Sequence, residues 1–91
     1  MVLSEGSCLL AIESEEHAAR RGARVYATIL GSGFSCDAAG VYGVDPSGES
    51  AAHAVRLAVT RSGLAATDID WVCSHANSAP VFDRKEALVL R

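Results

Sequence analysis

Two short apolar runs, residues 8–12 and 24–30, most constrain what this chain can fold into. The first is continuously apolar and ends at Glu13; the second is rich in β-branched and aromatic residues and ends at Gly31. Runs of this length and composition are typical of strands, and a strand that is apolar on both faces has to be covered on both faces. The sequence therefore predicts an α/β structure in which further layers of protein cover these strands.

Signals for two helices lie between and after these runs. Ser14 is suited to accept a hydrogen bond as an N-cap, acidic residues follow it, and Gly22 is suited to end the helix, which predicts a helix over residues 15–21. Apolar residues recur at helical spacing over residues 49–62, and Gly63 follows them, which predicts a second and longer helix.

The rest of the chain continues the alternation. Residues 31–48 contain five glycines and one proline without a sustained period, which predicts a long loop that is either functional or packed against a larger body. Residues 71–74 are interpreted as a third strand. Asp83 and Glu86 have the spacing of a capping box, so a third helix is expected to begin there. The expected order is strand–helix–strand, long loop, helix–strand–helix.

Length, charge and composition exclude several classes of function. Ninety-one residues allow one small domain, whose own core would be marginal. A formal net charge of −3, the absence of a Lys/Arg cluster and an aromatic content of 5% argue against nucleic acid as a partner. No apolar run approaches the ~20 residues of a membrane span, and no signal peptide is recognisable, so we expect no membrane association and a cytoplasmic location.

The three cysteines, Cys8, Cys36 and Cys73, are too widely spaced to indicate a zinc site or a redox pair, and reduced thiols are expected. Cys36 follows Gly31-Ser32-Gly33, which superficially resembles a nucleophile loop or a phosphate-binding loop. The glycine pattern is incomplete, however, because Cys36 occupies the final glycine position of the dinucleotide-binding fingerprint. Neither chemistry is predicted for this segment.

His75 is the candidate for chemistry because it follows the third predicted strand, where α/β sheets present side chains to ligands. A neutral imidazole can donate or accept a hydrogen bond near pH 7. From spacing alone, a structural histidine is the simpler interpretation. His17 and His53 are expected on the surface, and no histidine pair has the spacing of metal ligands, so no metal site is predicted.

Four stretches, residues 1–7, 10–23, 64–70 and 74–80, together carry a resemblance that none carries alone. The last reads Ser-His-Ala-Asn-Ser-Ala-Pro and is followed by Asp83 and Glu86. In this order and over the whole chain, they resemble the central segment of the β-ketoacyl-acyl-carrier-protein synthases. These acyltransferases are the elongating condensing enzymes of the thiolase superfamily, and they act in fatty acid and polyketide synthesis.

The resemblance implies a partial thiolase-like layered fold. Residues 1–91 would form a single partial domain that joins the end of the amino-terminal half (about 1–35) to the start of the carboxyl-terminal half (about 36–91). The family condenses an acyl group held on a cysteine with a malonyl unit on the phosphopantetheine arm of acyl carrier protein and releases carbon dioxide. It uses no metal and no redox cofactor. The resemblance also implies a homo- or heterodimer in the full-length form.

Of the family's Cys-His-His site, only the first histidine maps here, onto His75, with the expected role of assisting decarboxylation and stabilising oxyanion charge. The nucleophilic cysteine is expected upstream of these residues and the second histidine downstream. Asn77 and Ala79 stand where the family has two threonines that bind the phosphopantetheine arm. Asn77 keeps a polar group there, and Ala79 offers none. Ala76 replaces a glycine, which adds strain if its φ is positive.

Three hypotheses follow. The first is part of a β-ketoacyl synthase, inactive alone, from a truncated or wrongly bounded reading frame. The second is a non-catalytic subunit resembling a chain-length factor, which would act by pairing with an active synthase and which the altered motif after His75 favours. The third is a free-standing binding module. Genomic sequence around the chain would separate them: flanking family motifs in frame support the first, and an adjacent complete synthase supports the second.

Overall fold

The computed structural model describes residues 4–41 and 43–91. Three α-helices and one short 3₁₀ turn lie in this part of the chain: α1 (Glu15–Arg20), α2 (Glu49–Ser62), the turn Ala66–Asp68, and α3 (Pro80–Val89). Helices α2 and α3 pack against each other. Residues 1–3, which belong to the first family-like stretch, lie outside the described residues. No helix among those described is long and apolar enough to cross a membrane.

The first helix follows the signals in its sequence. The Ser14 hydroxyl accepts a hydrogen bond from the His17 backbone N–H at 3.3 Å, as an N-cap does. Gly22 has a φ of +64°, and the Ala23 N–H returns to the Ala18 carbonyl at 2.9 Å. A left-handed residue with such a return bond ends a helix, and it explains a glycine at this position.

Helix α2 spans the predicted residues 49–62 and is flanked by two left-handed glycines. Gly48 precedes it with a φ of +75°, and Gly63 follows it with a φ of +73°. A Cβ at Gly48 would lie 3.1 Å from a methyl carbon of Val89, so the glycine also allows α3 to come close to the start of α2.

The N-cap of helix α3 is Ala79, four residues before the predicted N-cap Asp83, so the capping-box prediction is wrong. Pro80 is the first helical residue, where its missing N–H and fixed φ cost nothing. The Asp83 N–H already donates to the Ala79 carbonyl at 3.0 Å, inside the first turn. The Glu86 carboxylate is therefore free of a capping role and contacts a different part of the chain.

The three predicted strands are absent from the described residues, which show no strand at residues 8–12, 24–30 or 71–74. The physical reason is that a strand exists only through hydrogen bonds to a neighbouring strand. Instead, the apolar side chains there face solvent: Leu9 is 98% exposed, and Tyr26 is 86% exposed. Ala18 is the buried apolar side chain of the described part of the chain.

The loop after residue 30 lies directly on α2. A Cβ at Gly31 would come within 2.4 Å of the Ala58 carbonyl oxygen, and one at Gly33 within 1.9 Å of the Ala54 carbonyl oxygen. The side chain of Arg61 donates to the Ser32 carbonyl at 2.9 Å. This close approach of loop backbone to helix backbone accounts for the two glycines, which sequence alone left as an incomplete phosphate-loop pattern.

Candidate functional site

His75 opens a tight turn, residues 75–79, that leads into α3. Ala76 has a φ of +27° and Ser78 a φ of +65°, both on the left-handed side that favours glycine. Position 76 therefore takes a positive φ, which is the condition under which the alanine was expected to be strained. The turn bends the chain sharply enough to bring the backbone of His75 and Ala76 over the side of α3.

Glu86 holds this turn from α3. Its carboxylate accepts hydrogen bonds from the backbone N–H of His75 at 2.6 Å and from that of Ala76 at 3.0 Å. The bonds from Ala76 and His75 lower the pKa of Glu86 below its ordinary value, because both favour the charged form. Sequence reasoning noticed Glu86 only as a capping residue and a family-like spacing, so its hold on the turn was missed.

Asn77 bridges the His75 ring and the start of α3. Its amide nitrogen lies 2.9 Å from Nε2 of His75, and its amide oxygen accepts the Ala79 N–H at 3.0 Å. The sequence predicted Asn77 and Ala79 as substrate-binding residues. In this structure the polar group of Asn77 contacts protein, while Ala79 uses its backbone N–H for Asn77 and is the N-cap residue of α3.

His75 lies at an apolar groove of about 320 Å³ between α2 and α3, which we call the His75 groove. The Phe82 ring meets the His75 ring edge-on, with 6.0 Å between centroids and 76° between planes. Lys85 also lines the groove, and its ammonium pairs with the carboxylate of Asp37 in the 31–48 loop. The groove thus combines apolar walls with one exposed imidazole. Its apolar lining consists of Ala51, Val55, Val72, Phe82, Val89 and Leu90.

The other candidate residues lie elsewhere. His17 and His53 are exposed, as predicted, and His17 Nε2 lies 3.6 Å from a Glu13 carboxylate oxygen. Cys8, Cys36 and Cys73 are exposed free thiols, and Cys73 lines the His75 groove. Across residues 4–41 and 43–91, no cluster of three metal-ligating side chains is present. His75, Asn77 and Glu86 are the residues that the fold brings together.

Comparison with known proteins identifies the family. Residues 26–91 match the family model described as "Beta-ketoacyl synthase, C-terminal domain", which implies a thiolase-like fold. The chain is 45% identical over 85 residues, 93% of its length, to 3-oxoacyl-[acyl-carrier-protein] synthase 2 of Mycobacterium tuberculosis (strain CDC 1551 / Oshkosh), and it covers 20% of that protein. It is also 40% identical over 90 residues, 99% of its length, to the mitochondrial 3-oxoacyl-[acyl-carrier-protein] synthase of Arabidopsis thaliana, of which it covers 20%.

A third relative, 3-oxoacyl-[acyl-carrier-protein] synthase 2 of Staphylococcus aureus, is 36% identical over 90 residues, which are 99% of this chain and 22% of that protein. The chain spans about a fifth of the length of these curated relatives. The family match covers most of the chain and contains α2, α3 and the His75 turn. The resemblance found in the sequence is therefore confirmed, and the chain belongs to the β-ketoacyl synthase family.

Proposed function

We propose that these residues contribute His75 to the active site of a condensing enzyme of fatty acid synthesis. In the proposed reaction, an acyl group held as a thioester on a cysteine meets a malonyl thioester on acyl carrier protein. Carbon dioxide leaves the malonyl unit, and the resulting carbanion attacks the acyl carbonyl. The cysteine thiolate leaves, and the 3-oxoacyl product stays on the carrier. His75 would donate a hydrogen bond to the thioester oxygen, where negative charge develops during decarboxylation.

The observation that carries this proposal is the pair of hydrogen bonds that the Glu86 carboxylate accepts from the backbone N–H groups of His75 and Ala76. A donor stabilises developing charge best when it is positioned before the reaction, since no reorganisation is then needed. The edge of the Phe82 ring contacts the His75 ring, and apolar side chains line the groove beside it. An exposed histidine with a fixed backbone suits this role.

The remaining parts of the proposal concern what lies around the site. We place the acyl-carrying cysteine and a second histidine in protein outside these 91 residues, and we assign no metal or redox cofactor to the reaction. Asn77 and Ala79 would lie along the path of the phosphopantetheine arm. The names of the relatives, which include acyl carrier protein, support it as the partner.

The proposed architecture also includes strands and layers that the described residues do not show. Residues 8–12 and 24–30 would become strands once further layers cover them, in a partial domain that joins the end of one thiolase-like half (about 1–35) to the start of the other (about 36–91). A homo- or heterodimer in the full-length form and a cytoplasmic location remain predictions. One of the relatives is named as mitochondrial.

The test uses a hybrid enzyme in which this chain replaces the matching fifth of the Mycobacterium tuberculosis relative. The hybrid should release carbon dioxide from malonyl carrier protein and form 3-oxoacyl product. His75→Ala should abolish decarboxylation while acyl loading on the cysteine continues. His53→Ala is the matched control, because His53 is exposed on α2, outside the turn.

Equal loss of loading and decarboxylation in His75→Ala would show that His75 only maintains the fold. A hybrid that folds and loads acyl groups but never condenses, even with His75 present, would support the second hypothesis, a non-catalytic subunit resembling a chain-length factor.

A further inference from the structure

We propose that Asn77 fixes the resting tautomer of the His75 ring as the form with its proton on Nδ1. In this state Nε2 is an occupied acceptor, and Nδ1 is the ring's donor. Asn77 is thereby a positioning residue that acts through His75. The tautomer assignment stands on hydrogen-bond geometry, and only its consequence for condensation rests on the proposed function.

The direction of the bond between the two side chains follows from the other end of the Asn77 amide. The Ala79 backbone N–H can only donate, so the atom that receives it at 3.0 Å is the amide oxygen of Asn77. The other atom, 2.9 Å from Nε2 of His75, is then the NH₂ group, which only donates. A ring nitrogen that accepts a hydrogen bond carries no proton, so the proton of the neutral ring sits on Nδ1.

Both ends of this bridge are held by other parts of the fold. On the histidine side, Glu86 holds the backbone of His75 and Ala76. On the other side, Ala79 is fixed as the N-cap residue of α3, with its carbonyl accepting the Asp83 N–H at 3.0 Å. Flipping the Asn77 amide would set its NH₂ group against the Ala79 N–H, two donors facing each other, and would lose that hydrogen bond. The half-buried Asn77 side chain therefore has a fixed position in the turn, from which it bonds to the His75 ring.

The consequence for the proposed reaction is a choice of donor atom. A thioester oxygen that approaches the resting ring meets a proton only at Nδ1, and Nε2 becomes a donor only after the Asn77 amide moves away. A residue at position 77 without a side-chain donor would leave Nε2 open. Asn77 thus decides which ring nitrogen of His75 can donate to the substrate oxygen.

The experiment measures the ¹⁵N chemical shifts of both ring nitrogens by NMR in the 91-residue chain with ¹⁵N-labelled histidine. At about pH 8.5, roughly two units above the ordinary histidine pKa of about 6.5, neutral rings dominate and the tautomer is readable. We expect His75 in the Nδ1–H form. The exposed His53 serves as an internal reference for an unconstrained ring.

Two variants make the result specific. Asn77→Ala should move His75 to the shifts of the reference ring. Asn77→Asp keeps the shape and the acceptor for the Ala79 N–H, but the carboxylate it introduces only accepts, so the ring proton should move to Nε2. Reference-like shifts for His75 in the wild-type chain, or unchanged shifts in both variants, would overturn the proposal. None of these ¹⁵N shifts depends on condensation, so the NMR experiment can fail while the hybrid-enzyme test succeeds, and the reverse.

Discussion

The amino-terminal region, residues 4–27, and the carboxyl-terminal region, residues 28–91, are held in opposite ways. In the described part of the amino-terminal region, the hydrogen bonds that the structure shows all join residues 13–23, and they are local. Its apolar side chains are open to solvent, with Leu9 98%, Leu10 82% and Ile12 75% exposed. This region carries strand-forming sequence without anything to pair with it.

The carboxyl-terminal region is tied together by polar contacts between distant residues. Lys85 pairs with Asp37 across 48 positions, and Glu86 reaches back to the His75 turn. The whole chain exposes 8097 Å², whereas a compact monomer of 9.5 kDa exposes about 5,000 Å². The chain's own polar contacts therefore position the His75 turn, while its apolar segments depend on a cover that these residues do not provide.

The largest effect is expected from removing the contact that positions the site. In the hybrid enzyme, Glu86→Ala should lower condensation by about 10²-fold, since a displaced catalytic group costs this much. Acyl loading should be unchanged. Glu49→Ala is the matched control, because Glu49 is an exposed glutamate of α2 whose ion pair with Arg56 is 3.8 Å long. Condensation lowered equally by both variants would mean that the polar contacts of the turn have no special role.

The next effect is on stability. Asp37→Asn should weaken the packing of the loop and α3 by about 1–3 kcal/mol, a value between those of exposed and buried ion pairs, because the Lys85 and Asp37 side chains are only 13% and 25% exposed. Thermal melting of the hybrid measures it. The double exchange Asp37→Lys with Lys85→Asp should recover part of the loss. Glu13→Gln, which removes the more exposed pair with Arg21 in the amino-terminal region, should leave the melting temperature nearly unchanged.

A smaller effect is expected from the exposed apolar run. Leu10→Lys in the 91-residue chain should reduce self-association, because exposed apolar segments with strand propensity drive aggregation. Light scattering against concentration measures it. Arg24→Lys, which changes the same region without changing its hydropathy class, is the control. Self-association that Leu10→Lys does not reduce would show that a different surface causes it.

The smallest effect is on pH dependence. The pKa values of Glu86 and of Glu13 are both lowered, the first by the Ala76 and His75 amides and the second by the hydrogen bond from Arg21. A lowered carboxyl pKa gives stability that is present above the ordinary value of about 4.3 and is lost as the pH falls through the lowered pKa. The His75 turn should therefore stay closed from pH 8 down to the ordinary glutamate pKa of about 4.3, and it should open only as the pH falls further, through the lowered pKa of Glu86. Carboxyl ¹³C titration checks this, and an ordinary Glu86 titration would contradict it.

The parts of the fold that depend on neighbouring residues were predictable, and those that depend on distant ones were not. Helices α1 and α2 follow caps and periodicity, so Ser14 and Gly63 marked them correctly. The start of α3 was misplaced because the spacing of Asp83 and Glu86 was interpreted as a capping box, although Pro80 is favoured at the first helical position. The strands could not be judged locally, because a strand needs a partner that local sequence does not describe.

The site divides in the same way. His75 and Asn77 could be located from the motif at residues 74–80, and the strain at Ala76 followed from one substitution. The role of Glu86 was hidden because it binds backbone amides 10 and 11 positions away, and the shape of the turn decides which amides it reaches. The bridge from Asn77 to His75 joins near neighbours, but it depends on the positive φ values of the turn, which the motif alone did not predict.

Residue-resolved hydrogen exchange of the 91-residue chain tests the comparison most directly. We expect slow exchange at the His75 and Ala76 amides and within α2, and unprotected exchange over residues 8–12. Glu86→Ala should speed exchange at His75 and Ala76 and leave α2 slow, because the carboxylate holds the turn and not the helix. His75 and Ala76 amides that exchange as fast as residues 8–12 in the unaltered chain would contradict the claim that the chain's own polar contacts position its site.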